Sequence, residues 1–141
     1  MINIHATLVD FEDKGILITG KSGSGKSDIA LRMIMENKAK LVADDRVNLE
    51  VIDNKVVGSA PIELYKKLEI RNVGIALIDE IKEQSNICLC VELCKNREDL
   101  ERMPCFESID ILGISIPKIN LYAFDCSTIC KIIQKISGKF I

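Results

Sequence analysis

Eight residues, Gly20 to Ser27, carry the clearest chemical signal in the sequence. They read Gly-Lys-Ser-Gly-Ser-Gly-Lys-Ser and match in full the P-loop pattern G-x-x-x-x-G-K-S/T. In such a loop the backbone N–H groups surround phosphate oxygens, the lysine reaches the terminal phosphates, and the last hydroxyl binds Mg²⁺. The pattern therefore predicts a phosphate site, and the alternative is a Gly/Ser-rich turn that binds nothing.

The residues around this loop predict the elements that must position it. Ile16 to Thr19 is a short β-branched apolar run, typical of a buried strand. Apolar residues recur at helical spacing from Ile29 to Ile34, which predicts a helix that ends near Asn37. A helix N-terminus beside the loop favours bound anions. The predicted phosphate-binding residues are Gly20, Lys21, Ser22, Gly23, Ser24, Gly25, Lys26 and Ser27.

Two adjacent carboxylates, Asp44 and Asp45, follow a predicted strand at Leu41 to Ala43. Phosphoryl transfer needs a carboxylate near the metal and a group that handles the attacking hydroxyl. Adjacent side chains point to different sides, so one aspartate is expected to serve the metal and the other to accept a proton. The alternative is a pair of turn or helix-cap aspartates.

Three further residues have weaker local signals. Glu69 and Arg71 alternate along an extended segment, so their side chains are expected on one face. Local sequence alone favours an exposed strand edge with a surface ion pair. For His5, local sequence favours a buried, hydrogen-bonded strand histidine.

Composition excludes several classes of protein. The chain has 141 residues, 48% hydrophobic and 28% charged, with a net charge of −2, which indicates one globular domain. Without a basic block, nucleic acid is not an expected partner, and no apolar run is long enough to span a membrane. The N-terminus does not resemble a signal peptide, so the expected location is the cytoplasm.

The six cysteines are expected to be reduced and buried. Cys88 and Cys90 would share one face of a strand, joined by Cys94 if the strand runs that far. Cys126 and Cys130 fall in a predicted helix. No C-x-x-C pair occurs, and the single histidine leaves a zinc site dependent on scattered thiolates.

The remaining pattern predicts many short strands and only two helices. The predicted strands cover Ile2 to Phe11 as one strand, a hairpin from Val47 to Val57, mixed β-formers from Leu68 to Leu77, the cysteine strand, and two strands within Ser108 to Phe124. A closing helix carries an apolar stripe from Ile129 to Ile136, with Asp125 as its N-cap. The fold class is therefore α/β, a P-loop nucleotide-binding domain with a strand-rich mixed sheet and few helices.

Four motifs occur in an order that resembles a known family. They are His-Ala-Thr-Leu-Val-Asp from His5, the P-loop, Leu-Val-Ala-Asp-Asp from Leu41, and Leu-Glu-Ile-Arg-Asn-Val-Gly-Ile from Leu68. Together they look like the catalytic domain of HPr kinase/phosphorylase, which phosphorylates a serine of the phosphocarrier HPr. The resemblance implies a fold similar to the nucleotide-binding core of phosphoenolpyruvate carboxykinase.

The resemblance also assigns binding roles. It implies that the P-loop binds the phosphates of ATP and that Lys26 offsets charge on their terminal oxygens. Ser27 and Glu69 would both bind Mg²⁺.

The same resemblance implies the catalytic roles. One member of the Asp44–Asp45 pair would be the general base for the acceptor serine, and sequence alone leaves open which one. In the reverse reaction the same group would act as the acid. His5 would lie near the reacting phosphate and tune the aspartate.

The chain departs from the long family members in three ways. His5 lies almost at the N-terminus, so the chain resembles a short, truncated form without the separate N-terminal domain. Ala76 to Ser85 contains no match for the Gly/Ala-rich loop and its catalytic arginine. Lys82, Arg97 or Arg102 are the nearest replacements the sequence offers, and no motif supports any of them. A downstream loop used for dephosphorylation also has no match, which argues against phosphorylase activity.

These observations predict an ATP-dependent serine kinase that acts on an HPr-like carrier. The main alternative is a non-catalytic module that binds ATP or ADP and regulates a phosphotransferase signalling chain. A small-molecule kinase is a third candidate. Because family members are often oligomeric, a homo-oligomer is compatible with the resemblance.

Overall fold

The computed structural model describes all residues from 1 to 141 and contains eleven β-strands and two α-helices. The strands are β1 (Ile2–His5), β2 (Thr7–Phe11), β3 (Lys14–Gly20), β4 (Lys40–Ala43), β5 (Arg46–Ile52), β6 (Lys55–Ser59), β7 (Lys67–Ile70), β8 (Gly74–Leu77), β9 (Gln84–Leu93), β10 (Glu107–Ile111) and β11 (Ile114–Leu121). The helices are α1 (Lys26–Asn37) and α2 (Thr128–Ser137), with single 3₁₀ turns at Ile62–Leu64 and Arg97–Asp99. The predicted strand-rich α/β domain with two helices is confirmed.

Nine strands form one mixed sheet around the long strand β9. The order is β1-β5-β6-β9-β3-β2-β4, and the β10–β11 pair joins β9 through β11. The first part of β9 pairs antiparallel with β6, and its later part lies between parallel partners β3 and β11. The sheet is therefore mixed rather than regularly doubly wound.

Sheet topology brings the ends of β3 and β4 to one edge. Strand β2 pairs antiparallel with both β3 and β4, so these two strands run in the same direction. Their carboxyl ends consequently meet at the same edge, where β3 leads into the Gly20–Ser27 loop and β4 leads into Asp44. This arrangement explains how two motifs far apart in sequence become neighbours.

The core has two parts, one on each face of the sheet. On one face, the two helices cover the inner strands with residues such as Ile18, Ile29 and Ile132. On the other face, the β5–β6 hairpin and the β10–β11 pair cover Leu8 and Leu17. Near-continuous apolar runs such as Ile16 to Ile18 fit this burial on both faces.

Strands β7 and β8 form a separate two-stranded hairpin that packs on α1. Leu68 is fully buried in the helical part of the core and fixes the inner face of this hairpin. Asn72 adopts a left-handed conformation (φ 70°) in the connecting turn. The segment predicted as mixed β-formers from Leu68 to Leu77 is thus a hairpin.

Several predicted details were wrong. The first strand is two strands that meet at Ala6, because β1 pairs with β5 whereas β2 pairs with β3 and β4. Helix α1 ends at the predicted Asn37, but the left-handed terminating residue is Lys38. Helix α2 is N-capped at Ser127 rather than Asp125, whose side chain pairs with Arg97.

The prediction for the cysteines holds only in part. All six are free thiols. Cys90 is buried, and burial raises its pKa above the usual value for a thiol. In contrast, Cys105, Cys126 and Cys130 are exposed, because they lie in the segment before β10 or on the solvent side of the closing helix and the turn before it. The expectation of buried cysteines is therefore confirmed only for Cys90, since Cys88 and Cys94 are half-buried and the other three are exposed.

Candidate functional site

The Gly20–Ser27 loop joins β3 to α1, as predicted. Its three glycines all have positive φ, at 147° for Gly20, 83° for Gly23 and 103° for Gly25. At Gly25 there is also no space for a side chain, since a Cβ there would lie 2.5 Å from Cβ of Ala123. The loop therefore requires glycine at this position for both conformation and space.

Lys26 lies folded beneath the loop. Its Nζ donates hydrogen bonds to the carbonyl oxygens of Gly20 (2.8 Å) and Lys21 (3.2 Å). Burial lowers the pKa of Lys26 from its ordinary value, and the carboxylates of Asp44 and Asp45 act in the opposite direction. The ammonium group is thus partly desolvated, is bonded only to neutral carbonyl oxygens, and belongs to a residue that lines the cavity, which suits it to pair with an anion there.

Ser24 adds an unsatisfied polar group to the loop. Its side-chain Oγ is buried and has no hydrogen-bond partner within the protein. Buried polar groups without partners are rare in folded proteins, and one commonly indicates a bound polar ligand or ion. Like Gly20 and Lys21, however, Ser24 does not line the cavity beside the loop, so its hydroxyl is enclosed within the loop.

Asp44 is held by three donors from three different elements. Its Oδ1 accepts hydrogen bonds from Thr7 Oγ1 and Ser27 Oγ, both at 2.8 Å. Its Oδ2 accepts a bond from the backbone N–H of Glu69 at 3.1 Å. Asp44 is also almost fully buried, so its carboxylate is fixed in one orientation beside the last residue of the loop.

Asp45 has the opposite environment. It adopts a left-handed conformation (φ 69°), and its side chain is 65% exposed. Its Oδ1 lies 3.5 Å from Nε2 of His5, whose side chain is 44% exposed. The alternative of a buried strand histidine is therefore wrong, because β1 is an edge strand that leaves His5 beside Asp45.

These groups surround one cavity of about 530 Å³ at the carboxyl edge of β3 and β4. Glu69 and Arg71 both line it, as expected for two side chains on one face of β7 and its extension. No ion pair joins them, so the simpler reading of a surface ion pair is wrong. The lining residues named by the sequence are His5, Ser22, Gly23, Gly25, Lys26, Ser27, Asp44, Asp45, Glu69 and Arg71.

Sequence reasoning gave no role to several residues that line the cavity, among them Thr7, Leu64, Lys67 and Phe124. Thr7 orients Asp44, and Lys67, Leu64 and Phe124 line the cavity. Thr7 stands two residues after His5 in the first motif, and a threonine in a fully buried strand needs a partner, which is a usable signal. Phe124 comes from a segment about a hundred residues after the loop, and no local pattern marks it.

The cations proposed as replacements for an arginine lie elsewhere. Lys82 is bound to Asp13 Oδ1 (2.7 Å) and Asp10 Oδ2 (3.2 Å), and Arg97 Nε is 2.9 Å from Asp125. Neither these two nor Arg102 lines the cavity. The cationic side chains that do line it, besides Lys26, are Lys67 and Arg71.

The oxygen atoms at the site suit a hard cation that is also bound by phosphates. Mg²⁺ is usually held by one or two carboxylates together with substrate phosphates. Ser27 Oγ and Asp44 Oδ1 lie 2.8 Å apart, and Glu69 lines the same cavity. No group of three or more His, Cys, Asp or Glu side chains in the chain has the arrangement of a protein-only metal site.

Fold and site together define a strand-rich mixed α/β domain in which a glycine-rich loop opens into a polar cavity. The family described as HPr Serine kinase C-terminal domain matches residues 1–141 in full. The chain belongs to this family, as the resemblance predicted. None of its helices combines the length and apolar character needed to cross a membrane.

Individual relatives agree with this assignment. The HPr kinase/phosphorylase of Streptococcus thermophilus is 36% identical over 129 residues, and that of Clostridium acetobutylicum is 38% identical over 127 residues. Each alignment covers 84% of this chain but only 41% of the relative, so the chain spans about two fifths of their length. The structure of the Hpr(Ser) kinase/phosphatase from Coxiella burnetii superposes with a TM-score of 0.83 at 26% identity, covering 96% of this chain and 88% of that one.

Proposed function

We propose that this chain is the phosphoryl-transfer domain of a serine protein kinase that uses ATP and Mg²⁺ and acts on an HPr-like phosphocarrier protein. The observation that supports this most strongly is the arrangement of the two adjacent aspartates. Asp44 is buried and bound to Ser27, whereas Asp45 is exposed at the cavity beside His5. Phosphoryl transfer requires both kinds of carboxylate next to the phosphates.

The loop would hold the triphosphate of ATP. Backbone N–H groups at the start of α1 would supply donors, and Lys26, which lines the cavity, would supply a positive charge. When the phosphates enter, Lys26 would exchange its two carbonyl partners for phosphate oxygens. Ser27, Asp44 and Glu69 would hold Mg²⁺, which offsets negative charge on the transferring group when it is bound.

In this proposal Asp45 acts as the general base. A serine hydroxyl is a poor nucleophile, so a positioned carboxylate must take its proton as the oxygen attacks the γ-phosphorus. The new O–P bond forms while the bond from the γ-phosphorus to the β,γ-bridging oxygen breaks, and ADP leaves. Asp45 would receive the proton, and His5, whose Nε2 lies 3.5 Å from Asp45 Oδ1, would interact with the carboxylate.

Asp44 is less suited to that role. All three of its hydrogen bonds come from the protein, and its burial leaves little room for an acceptor hydroxyl. We therefore assign Asp44 to the metal side of the site and Asp45 to the acceptor side.

Lys67 and Arg71 would supply the positive charge at the cavity in place of the arginine that the segment from Ala76 to Ser85 lacks. Both side chains line the cavity, and stabilisation of developing charge by such groups is usually a large contribution to catalysis. Lys82, the one cation of that segment, is paired with Asp10 and Asp13 and does not line the cavity.

The test is an intact-mass assay with the purified chain, Mg²⁺-ATP and the HPr-like protein from the same cell. We expect one added phosphate on a serine of the acceptor, and no addition with Lys26→Ala. ATP binding is measured in parallel by calorimetry. An unmodified acceptor in the presence of bound ATP would overturn the kinase proposal.

That negative result would favour a second function, a regulatory module that binds ATP or ADP without transferring phosphate. The observation behind this candidate is the absence of an arginine between Ala76 and Ser85. The two functions differ in one measurable respect, since only the kinase converts ATP to ADP in step with phosphorylation of the acceptor.

A further inference from the structure

The β7–β8 hairpin presents an apolar surface to solvent. Ala76 stands opposite the fully buried Leu68, so these two residues mark the inner face. Ile75 and Leu77 alternate with Ala76 along β8 and therefore lie on the outer face. Ile75 is 70% exposed, Leu77 is 74% exposed, and Val73 in the adjoining turn is 80% exposed. We call these three residues the hairpin strip.

The hairpin strip touches the cavity only at its middle residue and extends beyond the cavity on both sides. Ile75 stands directly opposite Glu69, and Leu77 stands opposite Lys67. Ile75, Glu69 and Lys67 line the cavity, whereas Val73 and Leu77 lie outside it. A molecule that contacts the whole strip must therefore extend out of the cavity over the hairpin.

Three large apolar side chains together on one small hairpin are unusual for a surface without a partner. Single exposed apolar residues are common, but adjacent ones rimmed by polar groups typically mark interaction sites. Lys67 and Glu69 form such a rim on the neighbouring strand. Burial of the strip by a partner would remove its apolar surface from water and favour binding.

We infer that the hairpin strip is the docking surface for the protein substrate, which packs apolar side chains flanking its acceptor serine against Val73, Ile75 and Leu77. This inference rests on the proposed kinase function. A small-molecule acceptor would fit within the cavity and would not reach Val73 or Leu77. A protein acceptor delivers its serine to Asp45 and necessarily covers the surface around the cavity.

A second copy of the chain is a less suitable occupant. Ile75 belongs both to the strip and to the cavity lining, so a permanent partner over the strip would also cover the edge of the site. A substrate that binds and leaves avoids this conflict.

The test uses two variants outside the cavity, Val73→Gln and Leu77→Gln, and their combination. Met35→Gln is the matched control, because Met35 is 75% exposed on α1 and does not line the cavity. For each protein we measure kcat and KM for the HPr-like acceptor, Kd for Mg²⁺-ATP, and mass in solution by light scattering. Circular dichroism and thermal unfolding check that each variant is folded.

We expect the double variant to raise KM for the acceptor at least tenfold, while Kd for Mg²⁺-ATP and the values for Met35→Gln stay unchanged. If the wild type phosphorylates the carrier and the double variant has the same acceptor KM, the docking inference is overturned and the kinase proposal stands. A smaller oligomer with unchanged KM would also overturn it and assign the strip to contacts between copies. No phosphorylation by the wild type would instead overturn the kinase proposal, and with it the docking inference.

Discussion

Ser27 and Asp44 stand 17 positions apart in the sequence and are joined by a hydrogen bond of 2.8 Å between Ser27 Oγ and Asp44 Oδ1. The bond links the end of the glycine-rich loop to the end of β4, across the intervening strand β2. With the bonds from Thr7 and the Glu69 backbone, it holds Asp44 buried beside the loop, whereas Asp45 remains exposed at the cavity. The first prediction follows from this separation.

Asp44→Asn and Asp45→Asn should fail in different ways. Asn at position 44 has no negative charge to offer a metal. Its amide N–H₂ group also replaces one of the two oxygens that accept hydrogen bonds from Thr7, Ser27 and the Glu69 backbone. We expect nucleotide binding in Mg²⁺ to weaken at least tenfold and stability to fall by about 1–3 kcal/mol. Asp45→Asn should bind Mg²⁺-ATP normally and transfer phosphate about 10²–10⁴ times more slowly.

Calorimetric titration with Mg²⁺-ATP and single-turnover phosphorylation measure the two effects separately. If Asp45→Asn kept full transfer while Asp44→Asn bound ATP but transferred nothing, the assignment of the base would have to be reversed.

Thr7 should act as a positioning residue through Asp44. Thr7→Val keeps the shape of the side chain but removes the donor to Oδ1, leaving a buried carboxylate short of one partner. We expect a loss of about 1–3 kcal/mol in the free energy of unfolding, together with weaker Mg²⁺-dependent nucleotide binding. Thr7→Ser keeps the hydroxyl and serves as the matched control.

Urea unfolding of the two Thr7 variants gives the stability difference, and nucleotide titrations at several Mg²⁺ concentrations give the binding difference. Equal Mg²⁺ dependence in Thr7→Val and Thr7→Ser would show that the hydroxyl is purely structural.

Gly25 and Gly23 should respond differently to alanine although both have positive φ. At Gly23 the space for a Cβ is open, so Gly23→Ala carries only the conformational penalty of about 1–2 kcal/mol. At Gly25 the added carbon meets Ala123 and the ring of Phe124 as well. We expect Gly25→Ala to be the more destabilising variant in thermal unfolding without nucleotide; equal effects would contradict the close packing of Ala123 on the loop.

Lys26→Met should remove nucleotide binding with little change in stability. The variant loses two hydrogen bonds to carbonyl oxygens, but it also removes a charge whose pKa is lowered by burial. Such opposing effects keep the net change within about 1 kcal/mol. A large loss of stability would show instead that Lys26 is mainly a structural residue of the loop.

The pH dependence gives an independent check. Between the lowered pKa of folded Lys26 and its ordinary value of 10.5, the unfolded chain binds more protons than the folded chain. The stability of the wild type relative to Lys26→Met should therefore increase as pH rises through this window. Urea titrations from pH 8 to pH 10.5 measure it, and a fall in relative stability would contradict the cause assigned to the shift.

The ion pair between Lys82 and Asp13 should stabilise the protein at neutral pH but not in acid. Lys82 lowers the pKa of Asp13 below its ordinary value of 3.8, so this contribution is present above pH 3.8 and is lost as pH falls through the lowered value. Lys82→Met should be less stable than the wild type at pH 7, and the difference should shrink below pH 3.8. A constant difference in urea midpoints between pH 7 and pH 3 would exclude the ion pair as its cause.

The stabilising contribution of Lys82 is also lost at high pH. The pKa of Lys82 is raised above 10.5, chiefly by its hydrogen bond to Asp13. Its stabilising contribution is complete below 10.5 and is lost as pH rises through the raised value.

Local sequence was sufficient for the parts of the fold and site that depend on neighbouring residues. The strand, glycine-rich loop and helix from Ile16 to Asn37 lie where the pattern predicts them, because each step depends on local apolar spacing and backbone freedom. The hairpin turn at Asp53 and Asn54 also follows from local chemistry, since both residues adopt positive φ (52° and 62°) between β5 and β6.

Tertiary structure decided the features that depend on pairing between distant segments. The break at Ala6 arises because β1 and β2 find different partner strands, and no local signal marks it. Which aspartate is buried depends on donors from Thr7 and the Glu69 backbone, which reach Asp44 only when β2 and β7 are in place. The types of these residues are thus a property of the sequence, whereas their division into a buried aspartate bonded to the loop and an exposed aspartate at the cavity results from strand order, which sets burial and hydrogen bonding.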